Sequence, residues 1–363
     1  MAAFAFYRLP YKQAYTLVMQ KDDDPEELYS VDELNGKSGF VIAPFMPTEL
    51  CPILLMRPDV VKHFNLKTTL DTQQKPASAT RITSKEDLSV ASDEKSAYAE
   101  DFEYFHDELE KGNFQKLVLA RCSHIDAKLT STIKAEDLFK KACKMYPRLF
   151  IALVSTSQSG TWLMATPETL LCGNGCEFTT MALAGTQAAP PSDIPDNKPI
   201  EGVEWSKKDK AEQQYVSDYI EDVISEFSDH CNKKGPYTTM AAQLYHLRTD
   251  FIFRLEDTDY LGDVLEELFP TPAVCGMPKE EARQFIIDNE SIDRKYYSGF
   301  VGPLMPSGET HLYVSLRCMN IHQGGKFDLY AGGGLLIESD MDTEWEETEA
   351  KMQTMRELLF AKS

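Results

Sequence analysis

From Tyr297 to Lys351 the chain runs through three apolar segments and then turns acidic, and this succession restricts the fold more than any other feature. Tyr297–Leu304, His311–Ile321 and Phe327–Ile337 read as three successive strands. The third closes on Gly332-Gly333-Gly334, and a helix start at Glu344-Trp345-Glu346-Glu347-Thr348 follows. On that helix Glu344, Glu347 and Lys351 stand at i, i+3 and i+7 and share one face. Two carboxylates on one face repel unless a cation or solvent intervenes. Glycines beside them let backbone approach a ligand closely. An acidic first turn also suits the helix dipole. The segment alone therefore reads equally as a helix start and as a metal site.

Upstream, hairpins mix with helices. Lys116–Arg121 reads as a strand, and Leu149–Ser155 with Gly160–Met164 as a hairpin. Ala97–Leu109, Glu212–Phe227, Leu261–Leu268 and Lys279–Asn289 carry helical spacing or composition. That mixture indicates an α+β fold rather than a doubly wound parallel sheet. Residues 70–95, rich in Thr, Gln, Lys, Pro, Ser and Asp, form the clearest break. We expect a variable N-terminal region over 1–94, packed on a catalytic domain over 95–363.

The formal net charge of −21 argues against nucleic acid, which needs clustered Lys and Arg. An anionic substrate would require local cations or a metal to offset that field. No run of about 18 apolar residues suggests a membrane span, and Met1–Tyr15 lacks the pattern of a signal peptide. A cytoplasmic location is expected. The eight cysteines are scattered and complete no zinc set with nearby histidines in sequence, so reduced thiols are expected.

Several residues admit both a chemical and a structural role. Lys116, opening an apolar strand, is a candidate base or an exposed strand-end lysine. In Ala165-Thr166-Pro167-Glu168, Pro167 suits a first helical position with Thr166 as cap, which makes Glu168 a first-turn acid or a general acid in a pocket. Gly185 and Thr186 end an apolar run, as a plain turn or as a ligand contact. Asp209 and Glu212, at i and i+3, form a second acidic pair near a helix start. Two such pairs could hold one hard cation such as Mg²⁺ through oxygen ligands. Arg317 offers a bidentate carboxylate ligand from an apolar strand, and Tyr297 a phenol. Both also suit structural packing.

The order of these motifs is more specific than any one of them. "KLVLAR" at Lys116, "ATPE" at Glu168, "LAGT" at 183–186, "SKKDKAE" at 206–212 and "HL" at 246–247 are followed by "PTPAVCGMP" at 270–278. Then come "YYSG" at 296–299, "LRC" at 316–318, "AGGG" at 331–334 and "EWEETEAK" at 344–351. The series resembles the chorismate-utilising enzymes, which include isochorismate, salicylate, anthranilate and aminodeoxychorismate synthases. It covers about residues 95 to 360. The resemblance implies an aminodeoxychorismate synthase-like fold, with a large antiparallel β core flanked by helices.

It also implies roles. Lys116 matches the base that activates water for attack at ring C2, and Glu168 the acid that assists loss of the C4 hydroxyl. Glu212 and Glu347 match Mg²⁺ ligands, with Asp209 and Glu344 supporting through water. Arg317 and Tyr297 match the clamp for the enolpyruvyl carboxylate. Gly185, Thr186, His246, Gly332 and Lys351 match positions that line the substrate.

Ala184 stands where lysine-nucleophile aminodeoxychorismate synthases carry Lys, which implies water as nucleophile. No glutaminase segment or partner is expected, and a monomer is. The motifs therefore imply an Mg²⁺-dependent isochorismate synthase, for menaquinone or alternatively siderophore synthesis. The alternatives are a salicylate synthase, which would go on to eliminate pyruvate, and a non-catalytic chorismate-binding protein. Three departures from the family pattern stand at Phe269, where His is common, and at Gln213 and Gln187.

Overall fold

The computed structural model describes residues 2–66, 85–127, 134–190, 199–305 and 308–360, with backbone alone over 85–92. Two nine-stranded sheets dominate, and every strand pairing described within them is antiparallel. The first runs, edge to edge, through Gly276–Met277, Lys116–Asp126, Lys326–Leu335, Cys318–Ile321, Gly160–Thr166, Phe150–Thr156, Phe4–Arg8, Ala14–Met19 and Val60–Asn65. The second runs through Cys231–Ala241, Leu244–Arg254, Glu177–Ala188, Thr169–Asn174, Glu309–Val314, Phe300–Leu304, Gly39–Ala43, Ile53–Met56 and Glu26–Leu28.

The sheets pack face to face. Ala5, Phe150, Trp162, Cys318 and Tyr330 of the first meet Phe40, Ile42, Val301 and Tyr313 of the second in one core. The Phe150 and Tyr313 rings stack with centroids 4.1 Å apart. Among the described residues, six α-helices cover the outside: α1 (Lys85–Glu110), α2 (Ala135–Met145), α3 (Lys207–Phe227), α4 (Leu261–Leu268), α5 (Lys279–Asn289) and α6 (Met341–Phe360). Apolar residues of α2 and α6 pack with the first sheet, and those of α3 and α4 with the second. Alternation along Lys116–Asp126 explains this layering. Leu117 and Leu119 join the core under α1 and α5, while Ala120 faces the second sheet.

The antiparallel α+β architecture agrees with the expectation, and the expected helices and hairpin form. The expected break at 70–95 lies outside the described residues as far as 84; from 85 the chain is α1, so position 94/95 falls inside a helix. The first 65 residues place three strands in each sheet.

Two local expectations are corrected. Thr166-Pro167-Glu168 does not open a helix: Thr166 ends a strand of the first sheet and Thr169 begins one of the second. His311–Ile321 is not one strand. Glu309–Val314 lies in the second sheet and Cys318–Ile321 in the first, with Arg317 between them at φ +46°. Both segments thus carry the chain from one sheet to the other. They are bonded to each other there, Ala165 N donating to Arg317 O at 3.0 Å and Val314 N to Glu168 O at 3.0 Å. These paired crossings deliver Glu168 and Arg317 to the space between the sheets.

Candidate active site

A cleft between the sheets is lined by Glu168, Gly185, Thr186, Glu212, His246, Tyr297, Arg317, Gly332 and Lys351 among others. The structure therefore gathers nearly all of the sequence candidates at one place. Lys116 reaches this wall from the end of its strand. Its side chain is 0% exposed, which rules out an exposed strand-end lysine. Its Nζ lies 3.1 Å from Glu212 Oε1 but is not aligned with any hydrogen-bond acceptor. Buried Arg294 braces this strand, donating to Val118 O at 2.8 Å, while its ion-pair partner Glu290 accepts from Ala120 N at 2.7 Å.

The glycine run is explained by what faces it. A Cβ at 334 would overlap Glu212 Oε1 and come within 2.8 Å of Lys116 Cε. At 333 it would meet Glu344 Oε2 at 3.1 Å and Glu347 Oε1 at 3.7 Å. At 332 it would lie 2.8 Å from the Tyr297 hydroxyl and 2.9 Å from Leu119 O. Three carboxylates, a lysine and a phenol thus converge on three residues without side chains. Gly334→Ala is expected to displace Glu212 and Lys116 together, with a stability cost of about 1–3 kcal/mol. Turnover should fall far more than that cost explains, which thermal melts beside steady-state rates will show.

Each carboxylate has a lysine. Lys351 Nζ is 2.7 Å from Glu347 Oε1 and donates to Gly332 O at 2.8 Å. Lys116 faces Glu212. Lys208 pairs with Glu344 Oε1, which also accepts from Ser339 Oγ at 2.8 Å. Glu344 Oε2 is buried with no hydrogen-bond partner among the described residues. Burial, then the charge of Glu347, pushes Glu344 up to about 7. Burial acts on Glu347 in the same sense, but Lys351 and Lys208 outweigh it and hold its carboxyl below the usual range.

Asp209 stands apart from this trio. Its carboxylate accepts from Ser206 Oγ at 2.6 Å and Ser206 N at 3.3 Å, closing a capping box at the start of α3. Lys208 is the residue of that segment which reaches Glu344, and the sequence reading missed it. Its spacing was a usable signal: Lys208 and Glu212 stand at i and i+4, on one helix face.

Glu168, 2% exposed, has an Oε1 without a hydrogen-bond partner among the described residues. Burial pushes it up to about 8, against the opposing charges of Lys116 and Lys351. It is therefore a neutral acid at pH 7. Arg317, 5% exposed, donates from Nη1 to Thr354 Oγ1 at 3.2 Å and from Nη2 to His246 Nε2 at 3.0 Å. Burial lowers it only to about 10, so it remains a cation. No carboxylate pairs with it among the described residues.

His246 Nδ1 donates to Gly185 O at 2.8 Å, so its Nε2 is the acceptor for Arg317. Burial and the Arg317 charge push His246 down to about 3, which keeps it neutral. Gly185 carries the turn at φ +69°, within a shift of strand register between Ala184 and Gln187. Thr186 Oγ1 approaches His246 Nδ1 at 3.5 Å, and its hydroxyl also hydrogen-bonds Glu347. Tyr297 stacks on Tyr330, 5.6 Å between centroids, and burial pushes its phenol up.

Lys208, Lys351 and Arg317 bring positive charge up to the carboxylates in a chain whose net charge is −21, while Glu168 is neutral.

The departures from the family pattern are structural. Phe269 lies in the core, edge-on to Phe300 at 5.0 Å, and does not line the cleft. Gln213 braces α3, donating to Ala182 O at 3.2 Å and Thr249 Oγ1 at 3.1 Å. Gln187 donates to Glu204 O at 2.9 Å.

The sequence model of the family described as "Chorismate binding enzyme" matches residues 56–360. This chain belongs to that family. Within it, the chain is 28% identical over 290 residues to isochorismate synthase EntC of Escherichia coli K12, covering 78% of this chain and 73% of that protein. By fold, the chorismate binding enzyme described here resembles DhbC from Bacillus anthracis with a TM-score of 0.80 and 21% identity, over 98% of this chain and 96% of that one. It also resembles MenF, the menaquinone-specific isochorismate synthase from Escherichia coli, with a TM-score of 0.73 and 21% identity, over 99% and 89%. Among the described residues no helix is long and apolar enough to cross a membrane.

Proposed function

We propose that this chain is an isochorismate synthase, converting chorismate to isochorismate by adding water at ring C2 and losing the C4 hydroxyl as water. The observation that carries the reading is the pair of buried proton-transfer groups: Lys116, whose Nζ lies 3.1 Å from Glu212 Oε1 without an aligned hydrogen bond, and Glu168, with a carboxyl raised to about 8. Lys116 takes a proton from the attacking water, and Glu168 gives one to the departing hydroxyl. Arg317, a buried cation without a carboxylate partner among the described residues, receives the enolpyruvyl carboxylate beside the Tyr297 phenol. Ala184, on the cleft wall, offers no amine nucleophile, which supports water.

Glu212, Glu344 and Glu347 would hold Mg²⁺. The orphaned Glu344 Oε2 and the side-chain-free cradle at Gly333 fit an oxygen-bound hard cation. When bound, the ion neutralises the substrate's ring carboxylate and fixes the ring. We place Asp209 at the margin of this set, as its carboxylate caps α3. Glu347→Gln is expected to raise the Mg²⁺ concentration needed for half-maximal rate by at least about tenfold, from the loss of one charged ligand. An unchanged Mg²⁺ dependence would overturn the assignment.

Phe269 lies outside the cleft, so the departure there does not favour pyruvate elimination. Isochorismate is expected to accumulate with Mg²⁺ and chorismate alone, without pyruvate, ammonia or a glutaminase. Pyruvate released in step with chorismate loss would instead indicate a salicylate synthase. We further propose that the enzyme acts as a monomer and serves menaquinone synthesis. Gene disruption should then deplete menaquinone; unchanged menaquinone would reject that pathway.

A further inference from the structure

On the same face of the Lys116–Asp126 strand, beyond the cleft, Cys122 and His124 stand at i and i+2. His124 lies about 26 Å along the strand from Lys116, at about 3.3 Å per residue. Directly across from it in register is Asp328, and across from Cys122 is Tyr330. One ligand atom from each of Cys122, His124 and Asp328 lies within 4.8 Å of the other two. Tetrahedral bonds of about 2.0–2.3 Å would separate such atoms by about 3.3–3.8 Å. The three are therefore close to bonding separation before any ion arrives.

The pleat and register hold them there rather than a mobile loop. Asp328 is oriented from both sides: His124 Nδ1 lies 2.6 Å from Oδ1, and His322 Nε2 lies 2.7 Å from Oδ2. His124 is exposed and Cys122 partly buried, so the cluster opens to solvent on one side, leaving room for water or His322 to complete a shell. A thiol, an imidazole and a carboxylate form a borderline donor set. It differs in kind from the all-carboxylate set at Glu212, Glu344 and Glu347.

We infer that Cys122, His124 and Asp328 form a second cation site, selective for a borderline divalent ion such as Zn²⁺ rather than Mg²⁺. Binding deprotonates the Cys122 thiol, whose proton passes to solvent, and forms a metal–sulfur bond. The site's cleft-side limit is Cys122, which pairs in register with Tyr330, and the Tyr330 ring stacks on Tyr297 in the cleft. Occupancy thus touches the cleft through a stacked pair of rings.

Co²⁺ is the suitable probe, because thiolate ligation gives it a near-ultraviolet charge-transfer band. Titration of the whole protein with Co²⁺ under excess Mg²⁺ is expected to saturate at one equivalent with that band. Zn²⁺ should displace it. Cys122→Ser should abolish the band, and His124→Ala, at an exposed position that does not endanger folding, should weaken Co²⁺ binding at least about tenfold. Glu347→Gln should leave band and affinity unchanged, which separates this site from the cleft. Absence of the band at one equivalent, its persistence in Cys122→Ser, or unaltered affinity in His124→Ala would overturn the inference.

Discussion

Glu168→Gln is expected to lower kcat for chorismate conversion by about 10²–10⁴-fold, the range contributed by a positioned general acid. Gln keeps the shape and can still donate a hydrogen bond, but it cannot deliver a proton. Wild-type kcat/KM should fall as pH rises through about 8, where Glu168 ionises. The residual activity of the variant should lack that alkaline limb. Stability supplies an independent readout. The folded carboxyl titrates near 8 and the free one near 4.5, so the folded state binds more protons between these values. Glu168 therefore erodes stability as pH rises from about 5 to 8. The melting temperature of Glu168→Gln relative to wild type should rise across the same window. A variant with normal kcat, or with the alkaline limb intact, would remove Glu168 from the acid role.

Arg317→Met should reduce kcat/KM by about 30-fold to several thousand-fold. Truncating one partner of a buried charge pair costs about 2–5 kcal/mol, and each 1.4 kcal/mol is about tenfold. The buried guanidinium already has two of its nitrogens fixed, by Thr354 Oγ1 and His246 Nε2. What it lacks is an anion, and the enolpyruvyl carboxylate supplies one. Met approximates the stem and removes the charge, so circular dichroism should show a native fold. Isothermal titration with chorismate in the presence of Mg²⁺ should show the loss as weakened binding. Unchanged affinity in a folded Arg317→Met would move the substrate's carboxylate elsewhere in the cleft.

The sequence was most legible where a residue's chemistry and its local pattern agreed. The apolar strand after Lys116, the glycine run and the i, i+3 pair Glu344 and Glu347 needed only local spacing to be picked out. It was least legible at the sheet crossings. Pro167 behind Thr166 has the composition of a helix start, and only the pairing of Gly160–Thr166 with Phe150–Thr156 shows it as a strand end. Arg317 adopts φ +46° without being glycine, a conformation that tertiary structure imposes and composition does not announce.

Cys231–Ala241 begins with six exposed residues, Cys-Asn-Lys-Lys-Gly-Pro, because it is a sheet edge. An edge strand has no apolar alternation to read. Asp209 and Lys208 show the same limit at the site. Both lie at the start of α3, and an acidic pair pointed to Asp209, yet a serine three residues earlier claims its carboxylate for the cap. The lysine beside it, which looks like an ordinary surface residue in sequence, enters the carboxylate cluster.

The central claim is that solvent water becomes the new C2 hydroxyl under Lys116 while Glu168 releases the old one from C4. Turnover of chorismate with Mg²⁺ in ¹⁸O-enriched water, followed by mass spectrometry of the product, tests it most directly. The account predicts isochorismate carrying one ¹⁸O at C2, its enolpyruvyl group retained, with no product from Lys116→Ala. Unlabelled isochorismate, labelled product from Lys116→Ala at a normal rate, or no turnover by the intact protein would contradict it.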